Sequence, residues 1–175
     1  NNELIQLNTE GNQDYWMIYV TYDTDSIRVT NNIMTGSDVS GVYFHDNNSM
    51  GTHLTFKNNI LDVAHRLMYL EDVNMDISSN LLKHNSSYYG VQIQDESSGT
   101  VWNNTVIGNG SGEYGIKVFD YSNPEIVNNI VTGFQMGLQA DAVVSIITNN
   151  DIWDNNVQFT GDGLPSLFGD INTAN

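Results

Sequence analysis

The sequence predicts an all-β chain wound as a single-stranded parallel solenoid of about seven coils. Three observations carry this reading. An Asn recurs at near-constant intervals. A short segment of alternating apolar and polar residues follows each Asn at a similar distance. No stretch of useful length keeps the 3.6-residue period of an amphipathic helix.

The Asn column runs through Asn32, Asn59, Asn80, Asn104, Asn129 and Asn150, at intervals of 27, 21, 24, 25 and 21 residues. Its segments read VTNNIM, FKNNIL, ISSNLL, VWNNTV, IVNNIV and ITNNDI. Asn8, 24 residues before Asn32, is expected as a weaker first member. Three positions before each Asn stands an apolar residue: Ile5, Val29, Phe56, Ile77, Val101, Ile126 and Ile147. Two positions after it stand Met34, Leu61, Leu82, Val106, Val131 and Ile152. Stacked Asn at an inward turn can bond to one another and to the turn backbone, so the column is expected to form an Asn ladder.

The second segment begins with Ile18/Val20 and continues as GVYFHD, LMYLED, GVQIQD, GIKVFD and GLQADA. Strict alternation turns Val42/Phe44, Met68/Leu70, Val91/Ile93, Ile116/Val118 and Leu138/Ala140 inward. The outward set is Tyr43/His45, Tyr69/Glu71, Gln92/Gln94, Lys117/Phe119 and Gln139/Asp141. Repeats of this length built from short strands give one solenoid coil each. Longer connections after the ladder Asn and after the second strand make residues 35–53, 62–66, 83–90 and 108–115 the expected walls of a groove.

Composition narrows the function. The chain has 175 residues, 21 acidic against 5 basic, a formal charge of −16 and no Cys. Nucleic-acid binding needs a basic patch, which this balance opposes. No apolar run approaches the length of a membrane span. Without Cys there is no disulfide, thiol nucleophile or Cys-ligated zinc. The 25 Asn are spaced with the apolar residues, unlike a low-complexity tract. Beginning at Asn1 rather than Met, the sequence reads as a processed or excised chain, expected outside the cell or on its surface.

On the Asn column, the G-[VI]-x-h-x-D strands and the inward apolar columns, the chain resembles the right-handed parallel β-helix proteins of the pectate-lyase-like superfamily. The resemblance covers residues 4–157 and specifies fold far better than activity. It implies a right-handed parallel β-helix over residues 1–157, with 158–175 as an irregular C-terminal exit segment. It also implies sugar chains bound across the outward strand face or its flanking groove.

On that expectation Tyr43, Tyr69, Gln92, Gln94, Phe119 and Asp141 are candidate polysaccharide or oligosaccharide contacts. Glu71, Asp95, Lys117 and His45 are the candidate acid–base groups. A glycoside hydrolase needs two carboxylates about 5–9.5 Å apart, which Glu71 with Asp95 could supply. A uronate lyase needs a base and a cation, and Lys117 is the base on the face. Neither choice is marked by a motif, and an ordinary solvated strand face accounts for the same residues. Asp46, Asp72, Asp95 and Asp120 end the second strand in consecutive coils. Stacked carboxylates could be bridged by calcium, or each could cap its own turn. The alternative to a carbohydrate-directed module is a non-catalytic structural, adhesive or filament-forming solenoid, self-associating through its ends.

Overall fold

The computed structural model describes residues 2–6, 15–21, 26–45, 53–141, 146–161 and 168–169. The first coil holds β1 (Asn2–Gln6), β2 (Trp16–Thr21) and β3 (Ser26–Thr30). The second holds β4 (Asn32–Gly36), β5 (Ser40–His45) and β6 (His53–Lys57). Next come β7 (Ile60–Val63), β8 (Met68–Glu71) and β9 (Asn74–Ser78), then β10 (Leu81–His84), β11 (Val91–Gln94) and β12 (Ser98–Trp102). The long β13 (Thr105–Val118) precedes β14 (Glu125–Val127), and β15 (Ile130–Ala140) precedes β16 (Ile146–Thr148). The last coil holds β17 (Asp151–Trp153), β18 (Val157–Thr160) and β19 (Phe168–Gly169).

Every pairing is parallel and joins equivalent strands of successive coils. Three rows result. The first runs from β1 to β17, the second from β2 to β18, and the third from β3 to β19. β13 and β15 serve both the first and second rows, with a register shift between Ile107 and Gly112. The GNGSGEY stretch, expected as a loop wall, therefore lies inside a strand. Gly110 and Gly133, at φ 87° and 79°, let the chain turn this corner where an L side chain would be strained. Within the expected exit segment, the described residues of β18 pair with β15 and those of β19 with β16.

The inward columns are those the alternation predicts. In the turns of β4, β7, β10, β13 and β15 the inward apolar side chains, from Met34 to Ile147, are 0–2% exposed. In the first coil Met17, Ile18, Val20, Ile27 and Val29 are only partly buried. About five turns are thus fully packed, against an expected seven.

The ladder forms as expected. Asn59, Asn80, Asn104, Asn129 and Asn150 each accept through Oδ1 from the backbone N–H of the previous ladder Asn, at 2.9–3.1 Å. Each also donates Nδ2 to a carbonyl of the preceding coil, as Asn104 does to Ile77 at 2.8 Å. The residue before each ladder Asn is left-handed: Asn31, Asn58, Ser79, Asn103, Asn128 and Asn149 have φ between 55° and 59°. Asn tolerates that conformation better than most residues, which explains the doubled Asn. At the first coil the register pairs Asn2 with Asn32 and Leu4 with Met34. Asn2 thus aligns in register with the ladder column, while Asn8, expected as its first member, lies outside the described residues.

A second ladder, of serines, stitches the turn between rows two and three. Val73 N–H donates to Ser97 Oγ, and Ser97 N–H to Ser122 Oγ, both at 3.1 Å. The Ser97 hydroxyl donates to the Gln94 carbonyl at 2.7 Å.

Candidate functional site

The second row positions the candidate site. Its register aligns Tyr19 with Tyr43, Tyr43 with Tyr69, Tyr69 with Gln92, and Gln92 with Lys117. A parallel column beside it aligns His45, Glu71 and Gln94. Two outward columns one residue-pair apart thus run up the face, as period-two geometry requires.

In the first column the phenol rings stack. Tyr19 lies 4.7 Å from Tyr43 at 15°, and Tyr43 lies 5.4 Å from Tyr69 at 8°. The coil spacing of about 4.8 Å sets that distance. Tyr43 is flanked on both faces, so it offers a ligand its edge and hydroxyl. Open aromatic surface comes from Tyr19, 61% exposed, with the half-buried Trp16 beside it. Trp16 tilts at 59° to both Tyr43 and Tyr69. Together with Arg66 these rings wall a pocket of about 470 Å³.

Beneath the rings runs a polar network centred on Glu71. Tyr43 OH donates to Glu71 Oε2 at 2.7 Å, and Gln94 Nε2 donates to Glu71 Oε1 at 2.6 Å. Gln92 Nε2 donates to Gln94 Oε1 at 2.7 Å. His45 Nδ1 stands 3.3 Å from Glu71 Oε2. Burial, and then the bond to Glu71, pushes the Tyr43 phenol well above its ordinary range. Tyr69 is pushed up to about 12 by burial and then by the Glu71 charge. Both phenols are therefore protonated donors at any working pH.

The structure brings Glu71, His45, Tyr43, Tyr69, Gln92, Gln94 and Asp95 together and places Lys117 and Phe119 in a separate aromatic cluster. Gln92 and Gln94 lie on the outward side of β11 but are only 7% and 8% exposed, with their amides engaged as above. Gln94 Nε2 also donates to Asp95 Oδ2 at 2.9 Å. One amide nitrogen thus bridges the Glu71 and Asp95 carboxylates, and the two bonds together cap their separation at about 5.5 Å. Both Glu71 oxygens are already committed to donors, which suits a carboxylate that fixes its neighbours better than one that delivers a proton.

Lys117 sits one coil beyond Gln92, within a second aromatic cluster. Its Nζ is 4.6 Å from the Tyr114 ring centre, 4.8 Å from Phe119 and 6.0 Å from Tyr89. Three aromatic rings thus surround its head group. Asp141 accepts a hydrogen bond from Gln139.

Of the Asp column, Asp72, Asp95 and Asp120 hold φ 50–55°, the left-handed turn conformation. Asp46 lies outside the described residues. Among the described residues no group of three His, Asp or Glu side chains is arranged to hold a metal ion.

Two pocket residues escaped the sequence reading of the site, Trp16 and Tyr19, while Arg66 falls in the 62–66 stretch expected as a groove wall. Tyr19 was visible in principle, since it stands between Ile18 and Val20 as Tyr43 stands between Val42 and Phe44. Trp16 and Arg66 lie at strand entrances, where alternation gives no direction.

A family model described as the right-handed β-helix region matches residues 16–164. No curated protein and no solved structure matches the chain.

Proposed function

The chain belongs to the right-handed β-helix family, and from that premise we propose that its second row is a glycan-binding face. The observation that carries this reading is the pocket of about 470 Å³ walled by Trp16, Tyr19, Tyr43, Tyr69 and Arg66. Aromatic carbon receives the C–H face of a sugar ring, while a few fixed polar groups orient its hydroxyls. Tyr43, held by Glu71, and the Arg66 guanidinium supply such groups. The Glu71 network acts as the support that keeps the ring stack in register. Binding without cleavage fits the committed oxygens of Glu71. A glycan-facing role also suits a chain working outside the cell or on its surface.

Calorimetric titration with a panel of neutral hexaoses and with polygalacturonate tests the reading. At least one should bind, and Trp16→Ala and Tyr19→Ala should each weaken it by about tenfold, close to 1.4 kcal/mol, without loss of fold. Product analysis should detect neither new reducing ends nor unsaturated sugars. Affinity unchanged in both variants, or no binding across the panel, sinks the proposal. Cleavage abolished by Glu71→Gln would replace it with hydrolysis.

A further inference from the structure

The third row carries a second pocket, on a different face. It measures about 280 Å³ and is lined by Thr100 and Trp102 of β12 and by Glu125 and Val127 of β14. The register pairs Thr100 with Glu125 and Trp102 with Val127, so the four occupy a square of positions on two adjacent coils.

Trp102 is 39% exposed, yet its orientation is fixed. Its Nε1–H donates to Asp76 Oδ1 at 3.1 Å, on the preceding coil. Asp76 is itself ion-paired with Lys57. Burial alone would raise the Asp76 carboxyl, but the bonds from Lys57 and Trp102 outweigh it and hold it below its usual range. The one polar atom of the indole is thus spent on the coil behind, and the surface left to the pocket is carbon. Glu125 and Thr100 add a carboxylate and a hydroxyl at its rim.

We propose that Trp102, with Thr100 and Glu125, forms a second glycan contact that takes a neutral sugar ring, independent of the pocket on the second row. A flat carbon plate beside a carboxylate and a hydroxyl matches the apolar face and equatorial hydroxyls of a pyranose. An indole already locked by Asp76 loses little freedom on binding. An anionic sugar is opposed by Glu125 and by the formal charge of −16. A cationic side chain is the competing occupant, but Glu125 is exposed, and exposed ion pairs contribute only about 0–1 kcal/mol.

The test follows the indole N–H resonances of the intact chain by NMR, with Trp102 assigned by its loss in Trp102→Phe. Neutral gluco-, manno-, xylo- and galacto-hexaoses are titrated to about 10 mM, a range suited to a weak single-ring contact. An arginine-rich peptide is titrated separately. The Trp102 resonance should shift saturably with a neutral hexaose, and should still do so in the Trp16→Ala/Tyr19→Ala double variant, which separates this site from the first. Calorimetric titration of the same hexaose in that background should give more affinity for Trp102→Phe, which keeps a carbon plate, than for Trp102→Ala. A Trp102 resonance unmoved by all four sugars, or moved by the peptide alone, overturns the proposal.

Discussion

At the scale of single residues the two members of each Asn pair do different work, and substitution should separate them. Asn104 Oδ1 accepts from both Asn80 N–H and Asn80 Nδ2, while its own Nδ2 donates to Ile77 O and Asn129 Oδ1. Asn104→Ala orphans several buried groups at once and should cost about 2–4 kcal/mol. Asn103 is exposed at φ 55°, so Asn103→Gly should be neutral within about 0.5 kcal/mol, Gly being at ease there. Chemical denaturation of both variants checks this, and equal losses would contradict the ladder. Asp72, Asp95 and Asp120 share the left-handed φ of the Asn turns, which supports the turn-capping alternative to a bridging cation. The melting temperature is therefore expected to be unmoved by calcium or chelator; a calcium-dependent rise would reinstate a bridged column. Sequence spacing resolved the ladder because an Asn with buried partners admits no substitute. Of the first coil the register shows only that Asn2 aligns with Asn32, and the expected first member, Asn8, lies outside the described residues.

At the scale of elements, alternation identifies which side of a strand is buried but not what covers the other side. It turned Val91 and Ile93 inward correctly and called Gln92 and Gln94 outward. It could not reveal that neighbouring side chains close over both amides, since that depends on rotamers set across coils. His84 shows the reverse case. It occupies the inward column position held by Val63 one coil earlier. It is 1% exposed, neither ring nitrogen has a hydrogen-bond partner, and Gly112 and Phe134 of the next coils lie against it. Burial, and then the neighbouring His65, lowers its pKa from 6.5 to about 4. Below pH 6.5 the unfolded chain takes up a proton that the folded chain refuses. Stability should therefore decline between pH 6.5 and 4, by about 3 kcal/mol from this group at the lower limit. His84→Leu should flatten that part of the profile relative to wild type. Parallel pH profiles of the two proteins would contradict the assignment.

At the scale of the whole molecule, a stack of coils buries its middle by construction and leaves its ends to other devices. Among the described residues β1, β2 and β3 each pair on one side only, with β4, β5 and β6. The inward residues of that coil, Met17, Ile18, Val20, Ile27 and Val29, stay partly exposed where Val42, Phe44, Leu54 and Phe56 are sealed. An open edge with incompletely covered apolar side chains is a template for another strand layer. The charge acts against it: two copies at −16 each repel. Screening falls to about 10 Å at 0.1 M salt and about 3 Å at 1 M, so added salt should uncover the attraction. Sedimentation should accordingly show mass rising with protein concentration at high salt and not at low salt. Scattering from the associated form decides the geometry. End-to-end stacking lengthens the particle while keeping its cross-section, because each added coil advances the axis by about 4.8 Å. Association that widens the particle would implicate a face instead, and a monomer at every salt and concentration would remove the filament-forming alternative to a glycan-binding module.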